Sequence, residues 1–300
     1  AEPVPTRFQA YSLVDYGFYE QDALNAKIRG GETDSYAGSG GLDYVVNEWL
    51  LVGGAFSYLQ SDTHIEGNLG GVDADGYFLS VYATAMLGDA WMDLSYSYGD
   101  LSNDLIRNTL LGTSAFGETD SDSETVDWNF GQNFALSDQV SFGPTLGLAY
   151  SSGQIDGYTE RGAGAANVVF PDDDFESFIS RLGGHVTFQT QTDYGEWTLQ
   201  GRAAWAHEFM PEGDAVAGSL QTSPFTLVTP TSATTSTSQS VGGFSATGAS
   251  PHVGRDWLEL GVSARLDFEN RWHAQAGYDG VFGRNNASAH FGSIRVGYEW

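Results

Sequence analysis

The 300-residue chain contains no cysteine, which excludes disulfides and thiolate metal sites and removes any risk of mispairing in an oxidising compartment. Cations are scarce: 12 Lys and Arg stand against 39 Asp and Glu, for a formal charge of -27. That sign argues against nucleic acid as a partner and against docking on an anionic surface, since both need positive charge. The chain also has no run of about 18 apolar residues, so it has no conventional transmembrane helix. A membrane strand is untouched by that absence, because strands place their apolar residues at every second position and keep an ordinary mean hydropathy.

What is present fits the strand alternative. Glycine contributes 39 residues and aromatics 14 % of the chain, and Ser, Thr, Asp and Asn are abundant. The last eight residues show the pattern most plainly: Ile294, Val296, Tyr298 and Trp300 share one face, and Ser293, Arg295, Gly297 and Glu299 share the other. The same period of two recurs from the start. After Ala1–Thr6, a proline-bearing leader, Phe8, Val14, Tyr16 and Phe18 alternate with Gln9, Asp15 and Gly17. Leu79, Val81 and Leu87 oppose Ser80, Tyr82 and Thr84, and Val126, Trp128, Phe130 and Phe134 oppose Asp127, Asn129, Gly131 and Asn133. Leu258, Leu260, Val262, Ala264 and Leu266 oppose Glu259, Gly261, Ser263, Arg265 and Asp267.

Short connections near residues 47, 89, 138, 194 and 270 alternate with longer or more polar ones near 27, 68, 112, 166, 230 and 285. The longer ones include polar stretches over about 21–33 and 62–73, a loop of about 104–122 and a Ser/Thr/Gly-rich external loop over 211–251. Eleven connections join twelve strands, and the alternation of short with long assigns one rim to the periplasm and the other to the exterior. The expected fold is therefore all-β: one twelve-stranded antiparallel transmembrane barrel over residues 7–300, in the outer membrane. A soluble β-sandwich would also alternate, but its strands average about 5–6 residues, whereas these patterns continue for about 9–11 or more, enough to cross a bilayer at a tilt. Trp197, Trp272 and Trp300 lie in phase with the apolar face at the short-turn rim, as an interfacial girdle requires, while Trp49 and Trp91 fall out of phase.

The polar phase gives the expected pore lining. Its acids are Asp15, Asp93, Asp127, Glu208, Glu259, Asp279 and Glu299; its bases are Arg181, Arg202, Arg265 and Arg295. Asn129, Asn133, His185, Gln189, His273 and Gln275 complete it. Lipid excludes such groups, and inside a barrel they are hydrated and paired. Their acidic excess predicts cation preference in any open pore.

In order and spacing, these pieces make the chain resemble the C-terminal translocator β-domain of autotransporters, the type V secretion proteins of Gram-negative bacteria. The resemblance runs from about Tyr11 to Trp300 and rests on Tyr16–Asp22, Leu51–Tyr58, Val72–Tyr77, Tyr158–Ala165 and Ala204–Phe209. It implies a monomeric barrel that anchors in outer-membrane lipid, is inserted by the barrel assembly machinery, and brings its own upstream passenger segment to the surface. It also implies an assembly signal at the carboxy terminus, formed here by Ser293, Ile294, Val296, Tyr298 and Trp300. Two features depart from the family pattern: about six residues precede the first strand, where a plug helix is usual, and Arg295 stands at the usual glycine place.

No enzyme emerges. There is no Gly-x-Ser-x-Gly elbow and no segment resembling an outer-membrane lipase or protease site. His185 reads as a lumen residue near Arg181, and His64, His207, His252 and His290 fall near loops or rims. Asp172–Asp174 and an acidic loop from Glu118 to Glu124 contain the oxygen ligands a hard cation prefers but lack EF-hand spacing, so they read as solvated acids and no metal site or cofactor is expected. The reading is a non-catalytic translocator and anchor. A stand-alone cation-permeable pore is the alternative, and an outer-membrane hydrolase the third.

Overall fold

The computed structural model describes residues 8–23, 29–109, 112–210, 216–220, 224–228, 234–238, 243–247 and 254–300. The leader Ala1–Thr6 and most of the connection over 211–251 lie outside the described residues or are described as backbone alone.

Twelve long antiparallel strands form one closed sheet. They are β1 (Phe8–Gln21), β2 (Gly31–Asn47), β3 (Leu50–Ile65), β4 (Gly70–Leu87), β5 (Ala90–Asn108) and β6 (Ser114–Gln132), followed by β7 (Val140–Ile155), β8 (Asp173–Thr192), β9 (Gly195–Glu208), β10 (Asp256–Asp267), β11 (Trp272–Arg284) and β12 (Ala287–Glu299). Each strand pairs with its sequence neighbours. The ring closes where β12 returns to β1, with Gln9 opposite Glu299 and Gln21 opposite Ala287. Closure leaves no strand edge unpaired, which is the condition for placing a sheet in hydrocarbon.

Burial is inverted relative to a soluble protein. Val14, Leu42, Val81, Leu182, Val262 and Ile294 are 58–63 % exposed, while Asp15, Asp43, Asp93, Arg265 and Arg295 are 3–7 % exposed. An apolar outer face and a polar inner one are what a hydrocarbon solvent selects. The short rim is made as its sequence suggests. Leu87 and Ala90 pair across Gly88-Asp89, and the positive φ of Gly88 (70°) suits the first central position of a two-residue hairpin turn.

The opposite rim differs from the sequence reading. The expected loop over 104–122 is only the connection 109–113, because β5 runs on to Asn108 and β6 begins at Ser114. The polar stretch over 62–73 likewise reduces to the link between Ile65 and Gly70, and β2 already begins at Gly31. The run from Glu118 to Glu124 is strand β6 and not a loop. The physical reason is that β5, at 19 residues, exceeds the about 9–11 needed to cross a bilayer. Above the membrane both faces of the wall meet water, so the alternation disappears while backbone pairing continues. A second correction concerns Trp49, which is 50 % exposed and joins Trp272 (47 %) and Trp300 (48 %) on the outside. The ladder shifts register between Val45 and Asn47, and the Asn47 side chain accepts a hydrogen bond from the Trp49 N–H (3.0 Å), so simple parity fails across this turn. Trp91 is buried, as its phase requires.

Candidate functional site: the barrel interior

The side chains expected to line the pore are buried or partly buried. Asp15, Asp93, Asp127, His185, Glu208, Arg265, His273, Gln275, Asp279 and Arg295 are buried. Asn129, Asn133, Arg181, Gln189, Arg202, Glu259 and Glu299 are partly buried. Contacts that skip a strand locate these side chains on the concave side, since only there do alternate strands approach each other. Arg181 on β8 donates to Glu259 on β10 (3.0 and 3.1 Å) and lies 3.6 Å from Asp127 on β6. Arg202 on β9 donates to Asp279 on β11 (3.0 Å). Arg295 on β12 reaches Asp43 on β2 (3.4 Å), and its guanidinium lies 3.7 Å above the Tyr11 ring.

The lining expected from the sequence left out Asp43 and the tyrosines around it, Tyr11 and Tyr82. Tyr82 on β4 donates to Asp43 on β2 and its hydroxyl oxygen lies 2.9 Å from that of Tyr11 on β1, from which it can accept, so one cluster ties together β1, β2, β4 and β12. The backbone makes room for it: a Cβ on Gly41 would lie 2.3 Å from the Tyr11 ring, and one on Gly53 would lie 2.2 Å from that of Tyr82. The available signal was a glycine opposite an aromatic, which becomes visible only once the strand register is known.

The imidazoles have structural partners. His185 Nε2 is 2.8 Å from Asn133 Oδ1, and His273 Nε2 is 2.8 Å from Gln9 Nε2. Ligand atoms of Asp267, His273 and Glu299 lie within 4.8 Å of one another, a spacing that suits a metal. Arg265, however, donates to Asp267 at 2.5–2.9 Å, and with Gln9 on His273 this donor set is engaged by protein groups, one of them cationic. The arrangement favours ion pairing over cation capture.

At the outer rim, the residues between β7 and β8 fold back on the wall. Tyr158–Thr159 pairs with Val169–Phe170, the Tyr158 and Phe170 rings stack at 4.8 Å, and a 3-10 turn spans Gly164–Ala166. Arg107 from β5 holds this hairpin by donating to Glu160 (2.8 and 2.5 Å) and to the Ala166 carbonyl (2.8 Å). The Arg107 hydrogen bonds, assisted by the Val168 N–H, hold the Glu160 carboxyl below its usual range.

The family model for the autotransporter beta-domain matches residues 14–279. The chain belongs to the autotransporter β-domain family. Curated relatives are distant: outer membrane protein A of Rickettsia conorii is 24 % identical over 288 residues, covering 92 % of this chain and 14 % of that protein. Lipase 1 of Photorhabdus luminescens is 24 % identical over 178 residues, covering 56 % of this chain and 26 % of that one. This β-domain thus spans only a small part of the relatives it matches. The translocator domain of autotransporter NalP from Neisseria meningitidis superposes with a TM-score of 0.73 at 16 % identity, covering all of this chain and 90 % of that one. The β-domain of Bordetella BrkA gives 0.69 at 13 %, covering 98 % and 100 %. These likenesses confirm the fold, and family membership places the β-domain in the outer membrane of a Gram-negative bacterium.

Proposed function

We propose that this β-domain is the translocator and outer-membrane anchor through which an upstream passenger segment reaches the cell surface. The observation that carries the reading is a closed barrel of this family whose exposed Val14, Val81, Val262 and Ile294 face outward while Asp15, Asp93, Arg265 and Arg295 are buried inside. The mechanism needs no chemical step. Lipid-facing side chains hold the barrel in the bilayer, ring closure satisfies the backbone, and the polar interior gives an extended chain a path that avoids hydrocarbon.

In this reading the barrel itself is not a catalyst, works as a monomer, and is inserted by the barrel assembly machinery. The signal for insertion is the β12 segment with Ser293, Ile294, Val296, Tyr298 and Trp300. Ile294, Val296 and Trp300 are 63, 42 and 48 % exposed, so the apolar ridge that a receptor or lipid would meet is in place. The inward acids and bases, from Asp15 to Glu299, serve as the pore lining.

Protease shaving of intact cells of the source bacterium, followed by mass spectrometry, tests this reading. Surface peptides encoded in the same reading frame upstream of Ala1 support it. A reading frame that places only a signal peptide before Ala1 would favour the stand-alone pore.

A further inference from the structure

The inner wall over β3–β5 changes character toward the outer rim. Leu59, Phe78 and Leu101, only 1–2 % exposed, belong to one apolar cluster with Phe175 of β8, and Phe291 of β12 packs against it. On the same stretch of wall, Ser61 Oγ and Asn103 Oδ1 are buried and have no hydrogen-bond partner among the described residues. Buried polar atoms are normally satisfied, so these two mark a place where another polar group is received. Further atoms of this kind, on Tyr19, Trp91, His185 and Thr198, lie on other strands or nearer the short-turn rim.

The connection between β9 and β10 is the longest in the chain. From Ala215 to Gly254 it holds no Asp, Glu, Lys or Arg, in a chain where those types make up 17 % of the residues. A segment of this kind, rich in Ser and Thr, can leave water without burying an ion. Its backbone forms a hairpin ladder: Val216–Leu220 pairs with Gly243–Thr247, and Pro224–Val228 pairs with Thr234–Ser238. Thr234–Ser238 approaches β5, and Gly243–Thr247 approaches β3 and β4. In the closed ring of twelve, β9 and β10 stand opposite β3 and β4. A hairpin rooted between β9 and β10 therefore reaches β3–β5 by crossing the bore.

We propose that the connection over 215–254 docks inside the barrel, as a hairpin laid on the inward face of β3–β5, and does not stand outside as an external loop. Backbone groups of the hairpin supply the partners that Ser61 and Asn103 need, and its bulk removes the apolar cluster from water. The opposite wall offers a neutral chain no such seat. Arg181 and Arg202 are already tied there to Glu259 and Asp279, and breaking those pairs to admit a neutral chain costs more than it returns. The docking describes the barrel at rest and holds whether the barrel delivers a passenger or serves as a pore.

The absence of cysteine allows a clean test in the full chain. Ser236→Cys is combined with Asn103→Cys, and Ser245→Cys with Ser61→Cys; in the controls the exposed neighbours Ser102→Cys and Gln60→Cys, on the outward phase of the same strands, replace the inward partner. A short bis-maleimide should bridge the inward pairs in the folded, heat-modifiable barrel and the outward pairs several times less. Equal bridging, or none from the inward pairs, overturns the docking. Bridging of Asn103→Cys to Val4→Cys would give this wall to the leader, and bridging between two barrels would give it to a second copy; either result also overturns it. As a second readout, Leu59→Asn and Leu101→Asn should each speed protease cutting within 215–254 severalfold, while Leu59→Ile leaves it unchanged. An unchanged rate in a folded Asn variant counts against the docking.

Discussion

Arg295 is the residue at which the family pattern and this chain disagree, and its surroundings supply the reason it is tolerated. It replaces the usual glycine at the seam between the last and first strands, where Tyr11 stacks on it and Asp43 pairs with it. Breaking a buried pair strands the remaining charge, at a cost of about 3–5 kcal/mol. Arg295→Gly should therefore lower the temperature at which the barrel loses its folded electrophoretic mobility, and Asp43→Asn with Arg295→Gly should recover part of the loss. A double variant no better than Arg295→Gly would show that the pair is not coupled. Glu160 makes a pH prediction at the outer rim. Its carboxyl is lowered in the folded state, first by Arg107, so its stabilising effect is complete above the usual glutamate value of 4.5 and is lost as pH falls through the lowered one. Protease sensitivity of residues 158–170 should be low at neutral pH and rise only below that value; Arg107→Ala should make it high at both. Neither cluster was legible in the sequence, since Asp43 and Arg295 are 252 positions apart and Arg107 and Glu160 are brought together only by the fold-back of the rim hairpin.

At the scale of the strand, phase is what the sequence displays best. β12 was readable residue by residue, because Ile294 and Val296 face outward and Arg295 faces inward in the structure as in the pattern. Val296→Asp should consequently impair membrane assembly far more than Glu299→Gln, judged by the yield of heat-modifiable barrel; equal yields would refute the assigned phase. Strand ends were less legible. Parity lost its meaning at the Val45/Asn47 register shift, which put Trp49 outside, and above the membrane, where Asp62, Asp73 and Asp104 read as loop but stand side by side on β3, β4 and β5. Like charges directly opposite on neighbouring strands destabilise a sheet, by roughly 0.2–1 kcal/mol for a pair. Asp73→Asn should accordingly slow hydrogen exchange in the outer ends of β3–β5, and faster exchange would contradict this account of the rim.

For the whole molecule, the strand count and the inside-out burial were legible, because they follow from the period and the number of connections, whereas the lengths of the outer connections were not, since the strands run on past the membrane. Which inward residues meet across the lumen was not legible, as the contact of Arg295 with Asp43 shows, since it depends on which of them share a side of the ring. The acidic excess of that interior predicts cation preference in planar bilayers if the purified barrel conducts, and an anion-selective reversal potential would contradict it. The central claim, however, is delivery. An epitope-tagged Gly/Ser-rich segment joined ahead of Phe8 behind a signal peptide should be cut by external protease on intact cells, and should be lost from the surface when Val296→Asp prevents assembly. A folded, heat-modifiable barrel whose epitope stays protected until the outer membrane is broken would contradict the account.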